Sequence, residues 1–191
     1  LEPCKQNTAP AILVSALINE VANEQPLMFF AADHLIEKVS IFNRAINQNK
    51  QYLTGENIFI FGIKPSSPSS EYGYFLSKKN KQNTNKVIKF IEKPNKENAK
   101  KIIRKKGYWN SGMFFATKKS IIYNFKKYQP TIYKYCLKAI LNAKFKNNTY
   151  YLNKASFSKA TAKSFDYAIL EKVKKINAIK LNIPWSDLGS W

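Results

Sequence analysis

Residues 58–63 read IFIFGI, six positions without a single charge or amide. So short and so uniformly apolar a run is read as a strand buried on both faces. The same kind of segment recurs on either side of it. Toward the N-terminus, 27–32 (LMFFAA) reads as a second buried strand and 35–50 as a helix behind it. Residues 9–22 (APAILVSALINEVA) carry apolar side chains at helical spacing, with Asn7 and Thr8 as capping candidates. Toward the C-terminus, 64–70 (KPSSPSS) is a loop. YGYFLS (72–77) and VIKFIEK (87–93) read as strands flanking a polar stretch at 78–86, a hairpin tip or solvated loop. A Lys-rich helix is expected at 95–106, and a strand at 107–116 with a polar interruption at Asn110-Ser111-Gly112. Helices are expected at 118–127, 130–145 and 164–174, and a strand at 176–181. Apolar strands alternating with helices predict an α/β fold, its sheet mixed but mainly parallel, with helices on both faces. Ligands of such sheets gather at the carboxyl ends of strands, where Asp33 falls directly after 27–32.

The 191 residues, 45% of them apolar, suit one compact domain over 1–191. No stretch approaches the ~18 apolar residues of a membrane span, and no basic-then-apolar leader opens the chain. Cys4 and Cys136 stand far apart without a CxxC pattern, which excludes a disulfide scaffold and a zinc finger and fits a reducing, cytoplasmic setting. The net charge of +20, from 32 bases against 12 acids, raises nucleic-acid binding as one reading. Only Arg44 and Arg104 are arginines, however, and readers of phosphates and bases favour the bidentate guanidinium. Asn and Ile are as abundant as A- and T-rich codons would make them, about twenty each, and the same codon bias accounts for the lysines.

Aspartate occurs only at Asp33, Asp166 and Asp187. A hard cation such as Mg2+ takes one or two carboxylates together with phosphate oxygens, which Asp33 and Asp187 can supply. The competing reading makes Asp33 a helix cap and Asp187 a turn residue. Glu92-Lys93-Pro94 is either a solvated pair before a turn or a clamp, with Glu92 accepting from sugar hydroxyls and Lys93 meeting a phosphate. In Tyr108-Trp109-Asn110-Ser111-Gly112 the amide can both donate to and accept from hydroxyls, and glycine allows close backbone approach; a β-bulge among core aromatics is the alternative. His34 is the sole histidine. Adjacent strand residues point to opposite faces, so His34 beside Asp33 is expected to be structural. Neither a Walker-type loop nor a GxGxxG pattern is present.

The order of these motifs resembles that of the mannose-1-phosphate guanylyltransferases, the GDP-mannose pyrophosphorylases. The matching segments are Glu2-Pro3 with Asn7-Thr8-Ala9-Pro10-Ala11-Ile12, Ala32-Asp33-His34, Tyr72-Gly73-Tyr74, and Phe90-Ile91-Glu92-Lys93-Pro94. They continue with Tyr108 to Phe114, Ser164 to Lys172, and Trp185-Ser186-Asp187-Leu188-Gly189-Ser190-Trp191. The resemblance implies a Rossmann-like nucleotidyltransferase fold of the glycosyltransferase-A type. It implies the reaction of GTP with mannose 1-phosphate to give GDP-mannose and pyrophosphate, with Mg2+ as cofactor. It implies that Asp33 and Asp187 hold the metal, with Lys93 beside them as a catalytic charge on the sugar phosphate. It places Gly73, Glu92, Asn110 and Asp166 around the mannose, and Asn7, Thr8 and Asp33 near the nucleotide. Against the family pattern both ends look cut. The Gly-rich phosphate loop is expected to be absent, and the isolated chain to turn over weakly or not at all. A non-catalytic remnant that binds a nucleotide sugar at most is the alternative. Two further departures are Gln6, where the family tends to carry Arg, and Phe165, where an aliphatic residue is usual.

Overall fold

The structure, a computed structural model, describes residues 1–18, 22–80 and 84–188. In chain order the elements are α1 (Thr8–Leu17), β1 (Pro26–Phe29), β2 (His34–Ile36), α2 (Val39–Asn49), β3 (Ile58–Ile63), β4 (Gly73–Lys79), β5 (Asn85–Ile91) and α3 (Lys96–Arg104). They continue with β6 (Tyr108–Thr117), α4 (Lys118–Tyr128), α5 (Pro130–Leu141), β7 (Lys144–Lys146), β8 (Thr149–Tyr151), α6 (Lys154–Phe157), a π-helical turn (Asp166–Leu170), β9 (Ile176–Leu181) and β10 (Trp185–Asp187). They form two compact units, Leu1–Leu27 with Thr117–Lys174, and Met28–Ala116 with Lys175–Trp191.

The first unit is helical, with α1, α4, α5, α6 and the π-turn packed together and a small β7–β8 hairpin. Asn7 caps α1 by accepting from the Thr8 amide at 2.7 Å, and Thr117 caps α4 by accepting from the Ser120 amide at 3.0 Å. Pro130 opens α5, where its missing N–H leaves no helical bond unmade. The core is drawn from Leu13, Ile121, Phe125, Ile132, Cys136 and Phe157, none more than 1% exposed. Gln6 belongs to this packing: its side-chain amide donates to the carbonyls of Phe157 and Ser158, at 3.4 and 3.0 Å. Phe165 is buried opposite Phe125, with ring centroids 6.2 Å apart. Both departures from the family pattern are therefore interior residues of this unit.

Burial pushes the Cys136 thiol up to about 12, with Glu2 adding to the rise, so it stays protonated and enclosed at neutral pH. A disulfide-exchange reagent should label one thiol per native chain, Cys4, and two in denaturant. Rapid labelling of two in the native protein would show that the α5 interior is open.

The second unit holds a six-stranded sheet in the order β1-β6-β3-β9-β5-β4, with β4 also pairing with β6. β3 is central and wholly buried, as its apolar run requires. It runs parallel to β9 in unbroken register, Ile58 opposite Ile176 through Ile63 opposite Leu181. Phe59, Phe61 and Ile63 of β3 share a core cluster with Phe42 of α2, Ala99 and Ile102 of α3, and Trp109, Met113 and Phe115 of β6. Alternate residues of β3, Ile58 and Ile60, are buried as well. α3 begins behind Asn95, whose side chain accepts from the Asn98 amide at 2.9 Å.

Several expectations are corrected. The sheet is mixed: β3–β9 is parallel, and β3–β6, β4–β5, β4–β6 and β5–β9 are antiparallel. The β4–β5 hairpin is antiparallel, as a connection too short for a crossover dictates, and β6 runs antiparallel to β3 and β4. The tip of that hairpin, 81–83, lies outside the described residues. Residues 27–32 are not a buried strand: β1 ends at Phe29 and is only half-buried, and Phe30 is 53% exposed. The helix expected over 35–50 starts at Val39, because His34–Ile36 instead pairs antiparallel with β10. Helix α1 ends at Leu17, and the expected residues 19–21 are likewise outside the described set. The helix expected over 130–145 stops at Leu141, since Lys144–Lys146 turns back into the β7–β8 hairpin. No helix among the described residues is long and apolar enough to cross a membrane.

Candidate functional site

In the second unit, three of the residues singled out from sequence converge through strand pairing. Gly73 opens β4 directly opposite Asn110 of β6, and Tyr74 is paired with Ile91, the residue before Glu92. A Cβ placed on Gly73 would collide with the Glu92 Oε2 and stand 3.5 Å from the Asn110 Cβ. Gly73 thus makes room for a carboxylate and an amide to sit together over one point of the sheet. Asn110 is 6% exposed, which makes it a polar group held inside an apolar wall. Carboxylate plus amide gives both acceptors and donors for a pair of hydroxyls.

Lys93 follows Glu92 in the left-handed region, at φ 41°, immediately before Pro94. A residue before proline is normally extended, so this turn carries backbone strain of roughly 1–3 kcal/mol. Strain of that kind persists where the surroundings hold it. Here it turns the chain sharply behind Glu92.

A register shift separates the Ile60↔Phe114 and Gly62↔Asn110 pairs, so β6 bulges between Asn110 and Phe114. Gly112, at φ 75°, sits in that bulge, and a Cβ there would lie 3.6 Å from the His34 Cε1. The β-bulge reading of Asn110-Ser111-Gly112 therefore holds.

The second cluster is built by β2 and β10. Their register sets Asp187 directly opposite His34 and Trp185 opposite Ile36. Directly opposed residues of an antiparallel pair present their side chains on the same face. Asp33 lies in the turn just before β2, and its carbonyl accepts from the Leu188 amide at 2.8 Å. Donor atoms of Asp33, His34 and Asp187 consequently lie within 4.8 Å of one another. The expectation that His34 faces away from Asp33 fails because Asp33 is outside the strand, where alternation does not apply. The helix-cap reading of Asp33 fails too: α2 begins at Val39 behind Lys38. Burial holds the His34 imidazole below its usual pKa, against the opposing pull of Asp187 and Asp33, which favours the neutral, lone-pair-bearing ring. Two exposed carboxylates beside it offer the oxygen donors that a divalent cation takes.

Aromatic contacts join the two clusters: Trp109 to Tyr72 at 5.0 Å, Tyr72 to Trp185 at 5.4 Å, and Trp185 to His34 at 5.2 Å between ring centroids. Burial raises the Tyr72 phenol, with Asp187 and Glu71 adding to the effect. Tyr72 and Trp185 had no role assigned from sequence, and His34 only a structural one. The signal for them is the non-local β2–β10 pairing, which two three-residue strands do not announce.

The first unit carries the remaining expected residues. Asn7 caps α1 at φ 63°, ψ −175°, a conformation ordinarily left to glycine. The Thr8 hydroxyl accepts from the Phe165 amide at 2.9 Å, which fixes the chain just before Asp166 at the start of the π-turn. Glu2, Lys5, Gln6, Asn7 and Thr8 line a cleft of about 570 Å³ at the N-terminus of α1.

Replacing Gly73 by Ala separates fold from site. The obstacle is the tip of the flexible Glu92 side chain, so the melting temperature should change by only a few degrees. Binding of a hydroxyl-rich ligand at Glu92 should fall by about tenfold or more, the ~1.4 kcal/mol of one displaced charged hydrogen bond. Unchanged affinity for such a ligand, measured by titration calorimetry, would show that Glu92 does not face it.

The nucleotidyl transferase family model matches the chain over residues 1–191. A mannose-1-phosphate guanylyltransferase of Escherichia coli is 36% identical over 200 aligned residues, covering 100% of this chain and 43% of that protein. The chain thus spans less than half the length of the curated relatives it matches. Among solved structures, a mannose-6-phosphate isomerase from Helicobacter pylori superposes with a TM-score of 0.85 at 30% identity, covering 98% of this chain and 73% of that one. A Thermus thermophilus structure described as a mannose-1-phosphate geranyltransferase superposes at 0.86 with 24% identity, covering 100% of this chain and 55% of that one, a likeness of fold. With a matching family model along its whole length and an α/β fold shared with these structures, the chain belongs to the nucleotidyl transferase family.

Proposed function

We propose that this chain serves GDP-mannose synthesis, the transfer of a guanylyl group from GTP to mannose 1-phosphate with release of pyrophosphate. The observation that carries this reading is the meeting of Gly73, Glu92 and Asn110 on one end of the sheet, joined by aromatic contacts to the Asp33–His34–Asp187 cluster. In such a transfer the protein positions the reactants and neutralises charge. Glu92 accepts from mannose hydroxyls, while Asn110 donates to one and accepts from another. Lys93, displayed by its strained turn, offsets the charge of the sugar phosphate. Asp33 and Asp187 would hold Mg2+, which when bound neutralises phosphate oxygens and aligns them for in-line attack. The donor set fits that ion to the extent of its two carboxylates. For the first unit we assign Asn7 and Thr8 to the nucleotide and Asp166 to a sugar hydroxyl. A cytoplasmic setting and polysaccharide precursor supply follow from the same assignment.

Thermal unfolding with ligand tests the reading independently of turnover. GDP-mannose with Mg2+ should raise the melting temperature, and GDP-mannose with a chelator should raise it much less. No stabilisation at millimolar GDP-mannose with Mg2+ would overturn the assignment.

A further inference from the structure

The donor set at β2 and β10 contains a nitrogen that a Mg2+ site does not call for. Mg2+ selects oxygen ligands and keeps several waters, whereas imidazole is a ligand of the borderline transition metals. His34 is brought there by specific geometry rather than by crowding. It stands directly opposite Asp187 in the β2–β10 register, and the carbonyl of Asp33 is tied to Leu188 at 2.8 Å. The ring is packed edge-on against Trp185, 5.2 Å between centroids, and the glycine of the β6 bulge approaches its Cε1. Its Nδ1 is shut off from solvent and has no hydrogen-bond partner among the described residues. A buried imidazole nitrogen left without a partner costs free energy unless something else meets it. Asp33 makes no ion pair with a lysine or arginine among the described residues, in a chain of 32 such bases.

We infer that His34 is a third donor to the divalent cation held by Asp33 and Asp187, and that it tunes the site toward transition metals, Co2+ ahead of Mg2+. The inference rests on the reading of those two aspartates as metal ligands. The three residues, their donor atoms within 4.8 Å of one another, would hold one divalent ion with two carboxylates and an imidazole. His34 therefore acts as a residue that sets metal preference.

Because the chain has one histidine, the test assigns itself. Co2+ is added to the tag-free full chain and imidazole proton resonances are recorded by NMR. The expected result is one imidazole N–H signal shifted far outside the diamagnetic window and lost in D2O, together with Co2+ binding about tenfold or more tighter than Mg2+. His34→Gln should remove the signal and weaken Co2+ by about tenfold while changing Mg2+ affinity little. If that variant fails to fold, 15N-histidine labelling of the unmodified chain reads the same bond. Co2+ bound without a shifted imidazole signal would overturn the role of His34 and leave the two-aspartate site standing. No Co2+ bound at millimolar concentration would overturn both.

Discussion

Asp187→Asn is expected to erase the Mg2+-dependent stabilisation by GDP-mannose while leaving the ligand-free protein nearly as stable as before. Asp187 is exposed on β10, so its amide replacement removes charge without opening the core. A ligand present at a hundred times its Kd stabilises by ~2.7 kcal/mol. At ~2–4 °C per kcal/mol for a chain of this size, that is a rise of roughly 5–10 °C in the unmodified protein. A hundredfold loss of affinity on removing one of two carboxylate ligands leaves RT ln 2, about 0.4 kcal/mol, and a rise of about 1 °C. Parallel melts of the two proteins, with and without Mg2+, give the comparison. A full ligand response in Asp187→Asn would remove the residue from the site.

The largest effect on stability is expected from Phe61→Ala. Phe61 is fully buried in β3 and packs against Phe42 at 5.0 Å and Phe115 at 5.9 Å between ring centroids. Truncating it removes apolar burial and leaves a cavity beneath α2, at a cost of about 3–5 kcal/mol. The melting temperature should fall by roughly 6–20 °C. Leu141→Ala, at a side chain 73% exposed, should change stability by no more than about 0.5 kcal/mol. Chemical denaturation of both variants checks the contrast, and comparable losses at the two positions would contradict the central place of β3.

What was legible in the sequence follows from where each element gets its stability. IFIFGI reads as a strand because every residue is apolar and every residue is buried. Asn7 reads as a cap because capping is local chemistry, carried by the residue and the turn after it. By contrast β2 and β10 are three residues each and exist by pairing with each other across about 150 positions, so neither shows periodicity of its own. Leu35 and Ile36 accordingly read as the start of the following helix. The mainly parallel sheet was inferred from apolar continuity, but β4 and β5 are buried on part of their length only, and a connection between them too short for a crossover makes the pair antiparallel.

The site shows the same division. Gly73, Glu92 and Asn110 are ordinary residues one at a time, and only their order along the chain tied them together. Strand register supplies the physical reason for that order, because Gly73 faces Asn110 and makes room for Glu92. His34 was set aside by an alternation rule that holds within a strand and not across a strand's first residue. Gln6 and Phe165, the two departures from the family pattern, are packed residues of the first unit.

The most direct test of the sugar-nucleotide assignment is a calorimetric titration of GDP-mannose into the unmodified chain in excess Mg2+, repeated with Glu92→Ala. One binding event per chain, weakened at least tenfold by the substitution, is the predicted result. Equal affinity in both proteins, or no binding in either, would contradict the account.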